Sequence, residues 1–343
     1  MKRTLIRKTG LLVTILTMGL FASCVKDGWN PCNNKIRIVY DYNMERVDQF
    51  HIQASFFSLF VFDSETGLFE QEFKFTGNPF DKDYEIDVPQ SVYGKKCDYI
   101  VWAGLDSDSY DFPQMQKGVS DIEDLKVKVK GYESQSVSKD LEPLWHGIIS
   151  GVEFTAATER TETISLTKDT KTFRLVFGFY EDGEIVHPYE LDDLDVAITS
   201  ADGWYGYDNT VLDEKSRLVK YFPYVSEFEE NAGLVYELNT LRLMADREAT
   251  LVITDKSQDK EVFRMPLNSY LNLLRLVEES WVKDFQEYLD REDFYKIVIF
   301  IDHTNGGDPG ENGNWASFNI IINDWVVREH GISGRLSIEK QGT

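Results

Sequence analysis

The sequence predicts an all-β protein, two β-sandwich domains in tandem with one short helix in the second. Three observations point there. Short apolar or alternating runs recur along the chain, each closed by turn residues, as in sandwich strands. Aromatic residues make up 13% of the 343 residues, and Phe and Tyr favour strands. The chain is long enough for two domains, and no repeat of 20 to 50 residues points to a solenoid.

The elements follow in order. Lys35 to Tyr42 alternates with a period near two. Ser55 to Asp63 is almost continuously apolar, as a strand in a sandwich core would be. The turn Asp63-Ser64-Glu65-Thr66-Gly67 leads into a return strand, Leu68 to Phe75, with Gly67 supplying the permissive backbone. Tyr84 to Val88 and Cys97 to Gly104 are further strands. Leu125 to Lys130 (LKVKVK) alternates strictly, so one face should be solvated. Glu162 to Leu166 and Thr172 to Tyr180 are split by the polar turn Thr167-Lys168-Asp169-Thr170, the expected domain boundary. Later strands are expected at Leu194 to Thr199, Leu218 to Pro223, Leu234 to Leu243, Thr250 to Thr254, Val262 to Met265, Tyr295 to Ile301, Ser317 to Ile322 and Trp325 to Arg328. A turn at Asn323-Asp324 joins the last two. Trp281, Phe285, Tyr288 and Leu289 recur at helical spacing, so Glu278 to Leu289 reads as a helix with a core-facing aromatic stripe.

The N-terminus carries an address. Lys2, Arg3, Arg7 and Lys8 precede a short apolar stretch from Gly10 to Ala22, too short for a comfortable bilayer span and suited to an export signal. Leu20-Phe21-Ala22-Ser23-Cys24 resembles a bacterial lipobox. Residues 1–23 are therefore expected to be removed and Cys24 to carry lipid. Each buried methylene contributes about 0.8 kcal/mol, and two acyl chains already give stable anchoring. Val25-Lys26-Asp27 resembles the signal that sends lipoproteins of Bacteroides-like bacteria to the outer face of the outer membrane. The domains are then 24–169 and 170–343.

A net charge of −23 disfavours nucleic acid and leaves no basic patch for anionic lipid, so a membrane link must be covalent. With Cys24 lipidated, Cys32 and Cys97 remain. They are either a disulfide, worth about 4 kcal/mol in the chain-entropy model, or two buried thiols.

No catalytic signature is present: no HExxH, CxxC, GxSxG or P-loop. Asp302 to Asn314 looks like a calcium loop, but Gly313 stands where an EF-hand needs Glu. The histidines at 51, 146, 187, 303 and 330 are too scattered for zinc ligation. Asp106, Asp108 and Asp111 cluster beside Tyr110, and Trp204, Tyr205 and Tyr207 beside Gly203 and Gly206 are a candidate sugar platform. In a chain with 59 acidic residues, carboxylate clusters arise by chance. No cofactor, metal or enzymatic activity is expected.

Four stretches taken together resemble the fimbrial anchor subunit family of Bacteroides-like bacteria, the FimB/Mfa2 family. They are Leu59-Phe60-Val61-Phe62-Asp63 with Thr66-Gly67, Leu144-Trp145-His146-Gly147, Gln286-Glu287-Tyr288-Leu289-Asp290-Arg291, and Ile320-Ile321-Ile322-Asn323-Asp324-Trp325. Cys24 with Cys32 fits the family's N-terminal pattern. Asp324 departs from it, since Gly is expected after Asn323. The resemblance implies two transthyretin-like sandwiches and a lipid-anchored subunit at the base of a cell-surface fimbrium. It also implies joining to a shaft (pilin) subunit by strand addition, in which one chain completes another's open sheet edge. By position, Trp325 to Ile338 is the candidate contact. The rival reading is a glycan-binding surface lipoprotein.

Overall fold

A computed structural model describes residues 33–77, 79–181, 184–186, 189–230, 233–278, 281–302, 317–323, 325–330 and 335–340. The architecture is all-β, two sandwiches with Greek-key-type crossings between non-sequential strands.

The first sandwich packs a three-stranded sheet on a five-stranded one. The small sheet has Lys35–Val39 in the middle, parallel to Thr161–Ser165 and antiparallel to Glu85–Asp87. The larger runs Thr167–Lys168, Trp145–Glu153, Lys96–Ala103, Phe56–Asp63, Phe69–Thr76. Ile36, Ile38, Ile86 and Ile164 meet Phe57, Leu59, Val61, Tyr99 and Val101 between them.

The near-continuous apolar run at Phe56–Asp63 has a physical cause. Phe57, Leu59 and Val61 face that first core, while Phe60 and Phe62 face a second one. Ile100 and Trp102 join Phe60 and Phe62 on this second face, covered by Leu105, Tyr110, Leu125, Val127 and Val129. A sheet buried on both faces has no use for alternation. The expected alternation holds in the cover: Leu125, Val127 and Val129 are fully buried, with Lys126, Lys128 and Lys130 outside.

The connection from 105 to 141 also reaches into the second half. Val127–Val129 pairs with Trp204–Tyr205, and Ser136–Val137 adds a parallel strand to Val219–Tyr221. The second sandwich sets the sheet Lys260–Pro266, Thr250–Asp255, Leu194–Ser200, Val219–Tyr221, Ser136–Val137 against a larger one. That larger sheet runs Val225–Glu229, Gly233–Thr240, Lys171–Glu181, Phe294–Asp302, Ser317–Ile322, Trp325–His330, Arg335–Lys340, with Glu184–Val186 also paired to Lys171–Glu181. The Asn323 turn forms as expected, with φ 46° at Asn323 and Ile322 paired to Trp325.

Three differences from expectation have identifiable reasons. Trp145–Glu153, a nine-residue strand beside the centre of its sheet, contains two glycines that mask its pattern. Gly147 is required because a Cβ there would lie 2.6 Å from Ile164 Cγ2 and 2.9 Å from the Ser165 carbonyl. Gly151, at φ 68°, lies at a bulge where the register with Lys96–Ala103 slips.

The helices form the second difference. A short α1 spans Phe50–Gln53, and the second half holds two longer helices rather than one: α2 at Leu267–Glu278 and α3 at Phe285–Arg291. The helix expected at Glu278 to Leu289 is interrupted because the Asp284 side chain accepts from the Glu287 amide and starts α3 afresh. Trp281 and Val282 lie before that cap, in the connection between the two helices. In α2, Leu267, Tyr270, Leu271 and Leu274 are buried at helical spacing. Third, Arg335–Lys340 is a strand, antiparallel to Trp325–His330.

Phe60, 1% exposed in the second core, tests the two-faced sheet. Phe60→Ala is expected to cost about 3–5 kcal/mol in urea unfolding, with the m-value unchanged.

Candidate functional site

The polar turn between the halves is buried. Asp169 and Lys171 have no exposed surface and Thr170 almost none. The Asp169 amide donates to the Leu144 carbonyl at 2.7 Å, and Thr170 Oγ1 accepts from the Leu144 amide at 2.8 Å. Asp169 Oδ1 accepts from Asn209 Nδ2 at 2.8 Å. Lys171 Nζ donates to the carbonyls of Asp290 and Glu292, both at 2.9 Å. Lys168 Nζ reaches Asp293 Oδ2 at 2.6 Å and Gln53 Oε1 at 3.1 Å.

Arg242 completes the cluster. Its guanidinium grips Asp290 in a two-bond fork, Nε to Oδ1 at 2.7 Å and Nη2 to Oδ2 at 2.8 Å. Its Nη1 donates to the Asn209 carbonyl at 3.0 Å. Gln286 Nε2 donates to Asp290 Oδ1 at 2.9 Å and the Leu243 carbonyl at 3.1 Å. A second clamp lies at α3. Arg291 sits 4.0 Å over the Tyr42 ring and 5.2 Å over Trp281, while Arg46 lies 4.3 Å over Trp281.

The electrostatics follow from burial. Desolvation pushes the Asp169 carboxyl up, with the nearby Arg242 guanidinium pulling the other way. Desolvation pushes the Lys171 ammonium down, against the pull of Asp290. His146, buried against Trp102, donates from Nε2 to the Tyr207 carbonyl at 2.9 Å. Its burial holds the imidazole down at about 4.

Two of the sequence landmarks converge here: Leu144-Trp145-His146-Gly147 and Gln286 to Arg291. Their work at this seam is structural. Arg242 and Asn209 escaped sequence reading, since a lone Arg between Leu241 and Leu243 carries no motif.

The other candidate residues do not assemble into a reactive site. Asp106 accepts the Asp108 and Ser109 amides in a turn, Asp111 pairs with Lys130, and Tyr110 is buried with its hydroxyl donating to the Glu142 carbonyl at 2.5 Å. Trp204 offers no free platform. Lys128 lies 4.6 Å and Lys126 5.9 Å from its ring centroid, Tyr132 packs edge-on, and Tyr205 is fully buried. Among the described residues, no group of three or more His, Cys, Asp or Glu is placed to hold a metal ion. The candidate calcium loop beyond Asp302, Cys24 and Cys32 lie outside the described residues. Cys97 is buried, and desolvation and the nearby Asp63 push the pKa of its thiol form up to about 11.

Residues 30–331 match the model of the fimbrillin-A-associated anchor proteins Mfa1 and Mfa2. The chain belongs to this anchor family. Among solved structures, it is similar to a candidate polysaccharide-binding protein of Bacteroides thetaiotaomicron, with 33% identity and a TM-score of 0.76, covering 89% of this chain and 100% of that one. A candidate adhesin from Bacteroides ovatus has the same fold, with 21% identity, a TM-score of 0.72, and coverage of 88% and 96%. So does the fimbrial anchor protein Mfa2 from Porphyromonas gingivalis, at 17% identity, a TM-score of 0.64, and coverage of 86% and 98%. A search of curated proteins finds no match. Among the described residues of this Mfa2-family chain, no helix is long and apolar enough to cross a membrane.

The seam of this family member carries two predictions. Asp290→Ala strands the buried Arg242 charge and is expected to cost about 3–5 kcal/mol in chemical denaturation, whereas Arg242→Met with Asp290→Leu lies closer to wild type. His146 is held neutral, so its contribution is complete above pH 6.5 and is lost as pH falls towards 4. The raised carboxyls of Asp169 and Asp202 work in the opposite direction. The check is therefore a difference: wild-type stability minus that of His146→Gln, which keeps a donor for Tyr207, should decline between pH 6.5 and 4.

Proposed function

We propose that the chain is a lipid-anchored subunit at the base of a cell-surface fimbrium, tethering the filament to the outer membrane and limiting its length. The observation that carries this reading is membership of the anchor family across nearly the whole chain after the leader. Lipid on Cys24 provides the tether, residues 1–23 being the leader. Residues 24–169 and 170–343 are its two domains, with the 105–141 connection reaching from the first into the second. The role is structural, without catalysis.

The filament contact is strand addition by a shaft subunit at the C-terminal edge. Arg335–Lys340 is the outermost strand of the large sheet, paired only with Trp325–His330 among the described strands. An edge strand presents unpaired backbone groups along one side. The stretch proposed, Trp325 to Ile338, spans these two strands.

The second reading, glycan binding, draws on the Bacteroides thetaiotaomicron relative. The lysines over Trp204 weigh against stacking there. Isothermal titration with polysaccharides separates the two readings: saturable heat favours the glycan reading, and none favours the anchor.

Cys24→Ala is expected to move the protein, and fimbriae with it, out of the membrane fraction; palmitate still incorporated into this variant would contradict the lipid site. Deletion from His330 onward should leave a folded protein that no longer holds fimbriae, and unchanged retention would refute the contact. Whether Cys32 bridges Cys97 is decided by non-reducing mass spectrometry, where alkylation of both thiols without reductant rules the bridge out.

A further inference from the structure

The direction of the chain through the two sandwiches can be followed residue by residue. At one pole, Asn34 is fully buried, its Nδ2 donating to the Thr155 carbonyl at 2.8 Å, and its own carbonyl accepts from the Val88 amide at 2.8 Å. From there Lys35–Val39 runs to the seam. It ends at Tyr40, which packs edge-on against Trp145 and is pinned by Asp48 Oδ1 and the Gln49 amide, both at 2.9 Å.

The far pole lies beyond the second sandwich. Leu194–Ser200 has its Ser200 end beside the seam, where Arg247 donates to the Ala201 carbonyl at 3.2 Å and the Arg242 amide donates to Tyr205 Oη at 2.9 Å. Its Leu194 end pairs with Asp255, and the next residue, Lys256, donates from its amide to the Asp193 carbonyl at 2.9 Å. A seven-residue strand spans about 23 Å, so Lys256 stands roughly that far from the Ser200 end.

The neighbour of the first strand decides the mechanics. Thr161–Ser165 is parallel to it over five residue pairs, and the flanking bonds Lys35 N to Arg160 O and Leu166 N to Val39 O extend the contact at 2.9 Å each. Thr161–Ser165 then continues through Thr167–Lys168 and the buried Asp169 into Lys171–Glu181, an interior strand of the far sandwich. The first strand therefore lies alongside a chain segment that runs from the tethered pole, through the ion network, into the distal core.

We propose that Lys35–Val39 is a mechanical clamp. A pull on the chain start is resisted in shear by the parallel Thr161–Ser165 strand and passed along the backbone into the second sandwich. The proposal rests on the anchor reading for the origin of the load. Its physics does not. A load directed along paired strands acts on all their hydrogen bonds together and must also drag Ile36, Ile38 and Tyr40 out of the core, all at most 1% exposed. A load across the strands takes the bonds one at a time. The placement of Lys35–Val39 between two neighbours means that it must break from both.

The test is single-molecule force spectroscopy on residues 24–343 with one handle at the N-terminus. The second handle is an azide-bearing residue at Lys256, for axial load, or at Asp87, which sits opposite Lys35 on the neighbouring strand, for peeling. The axial geometry should show a first rupture force at least twice that of the peeling geometry at equal loading rate. Equal forces, or a lower axial force, would overturn the clamp. The measurement needs no filament, so failure of the clamp leaves the anchor reading standing, and failure to retain fimbriae leaves the force comparison unchanged.

Discussion

Asp169 has no exposed surface, and it sits where the chain passes from one sandwich to the other. A buried carboxylate without compensation is costly, so the surroundings must answer it. Asn209 supplies a hydrogen bond, and the Arg242 charge stands close enough to oppose the desolvation. Arg242 in turn needs the Asp290 fork, and Asp290 is held by Gln286 on the preceding turn of α3. Lys171 takes the carbonyls at the end of that helix. Each requirement recruits a residue from a different part of the chain. The result is a seam held by residues from both halves. Networks of this kind add little net stability against an apolar alternative, because desolvation offsets the attraction, but removing one partner is expensive. Fixing the relation between the halves is the consequence that matters.

The apolar contribution to the same seam comes from the five-stranded sheet buried on both faces. Phe60, Phe62, Ile100 and Trp102 belong to the same hydrophobic cluster as Leu238, Leu241 and Tyr295 of the second half. The 105–141 connection covers that face and lends a strand to each of two small pairings across the seam. The division of the chain into two sandwiches is thus clearer in strand pairing than in packing. One core lies within residues 36–166, whereas the other draws on both halves.

Most strands were legible because their apolar period survives in sequence, as in LKVKVK and the run at Ser317–Ile322. Among the strands that were not, Trp145–Glu153 was hidden by Gly147 and Gly151, which exist for close sheet approach and a bulge; both are tertiary needs that no local pattern expresses. Helix α2 was legible in principle, since Leu267, Tyr270, Leu271 and Leu274 recur at helical spacing, but its leucines also suit strands. The polar run Thr167 to Thr170 illustrates the deeper limit. Composition suggests a solvated linker, and only the arrival of Asn209, Arg242 and Asp290 from distant positions makes a buried one affordable. The family landmarks in Leu144 to Gly147 and Gln286 to Arg291 were visible, but their joint location was not.

The sheet edges differ in how far they invite a partner. Val225–Glu229 bounds one side of the large sheet, and Arg174 ties Glu227, Glu229 and Glu237 together across that side. A row of fixed charges discourages edge pairing. Phe69–Thr76 bounds the first sandwich, but its start is taken up by Ser120 and Gly118, and Lys74 stands exposed further along. At the C-terminal side, Arg335–Lys340 shields Trp325–His330, whose first three residues, Trp325-Val326-Val327, are apolar in sequence. Among the described strands Arg335–Lys340 is paired on one side alone, so a partner strand has backbone groups to meet there. Ser317–Ile322 and Trp325–His330 separate that edge from Phe294–Asp302, which is itself parallel to Lys171–Glu181.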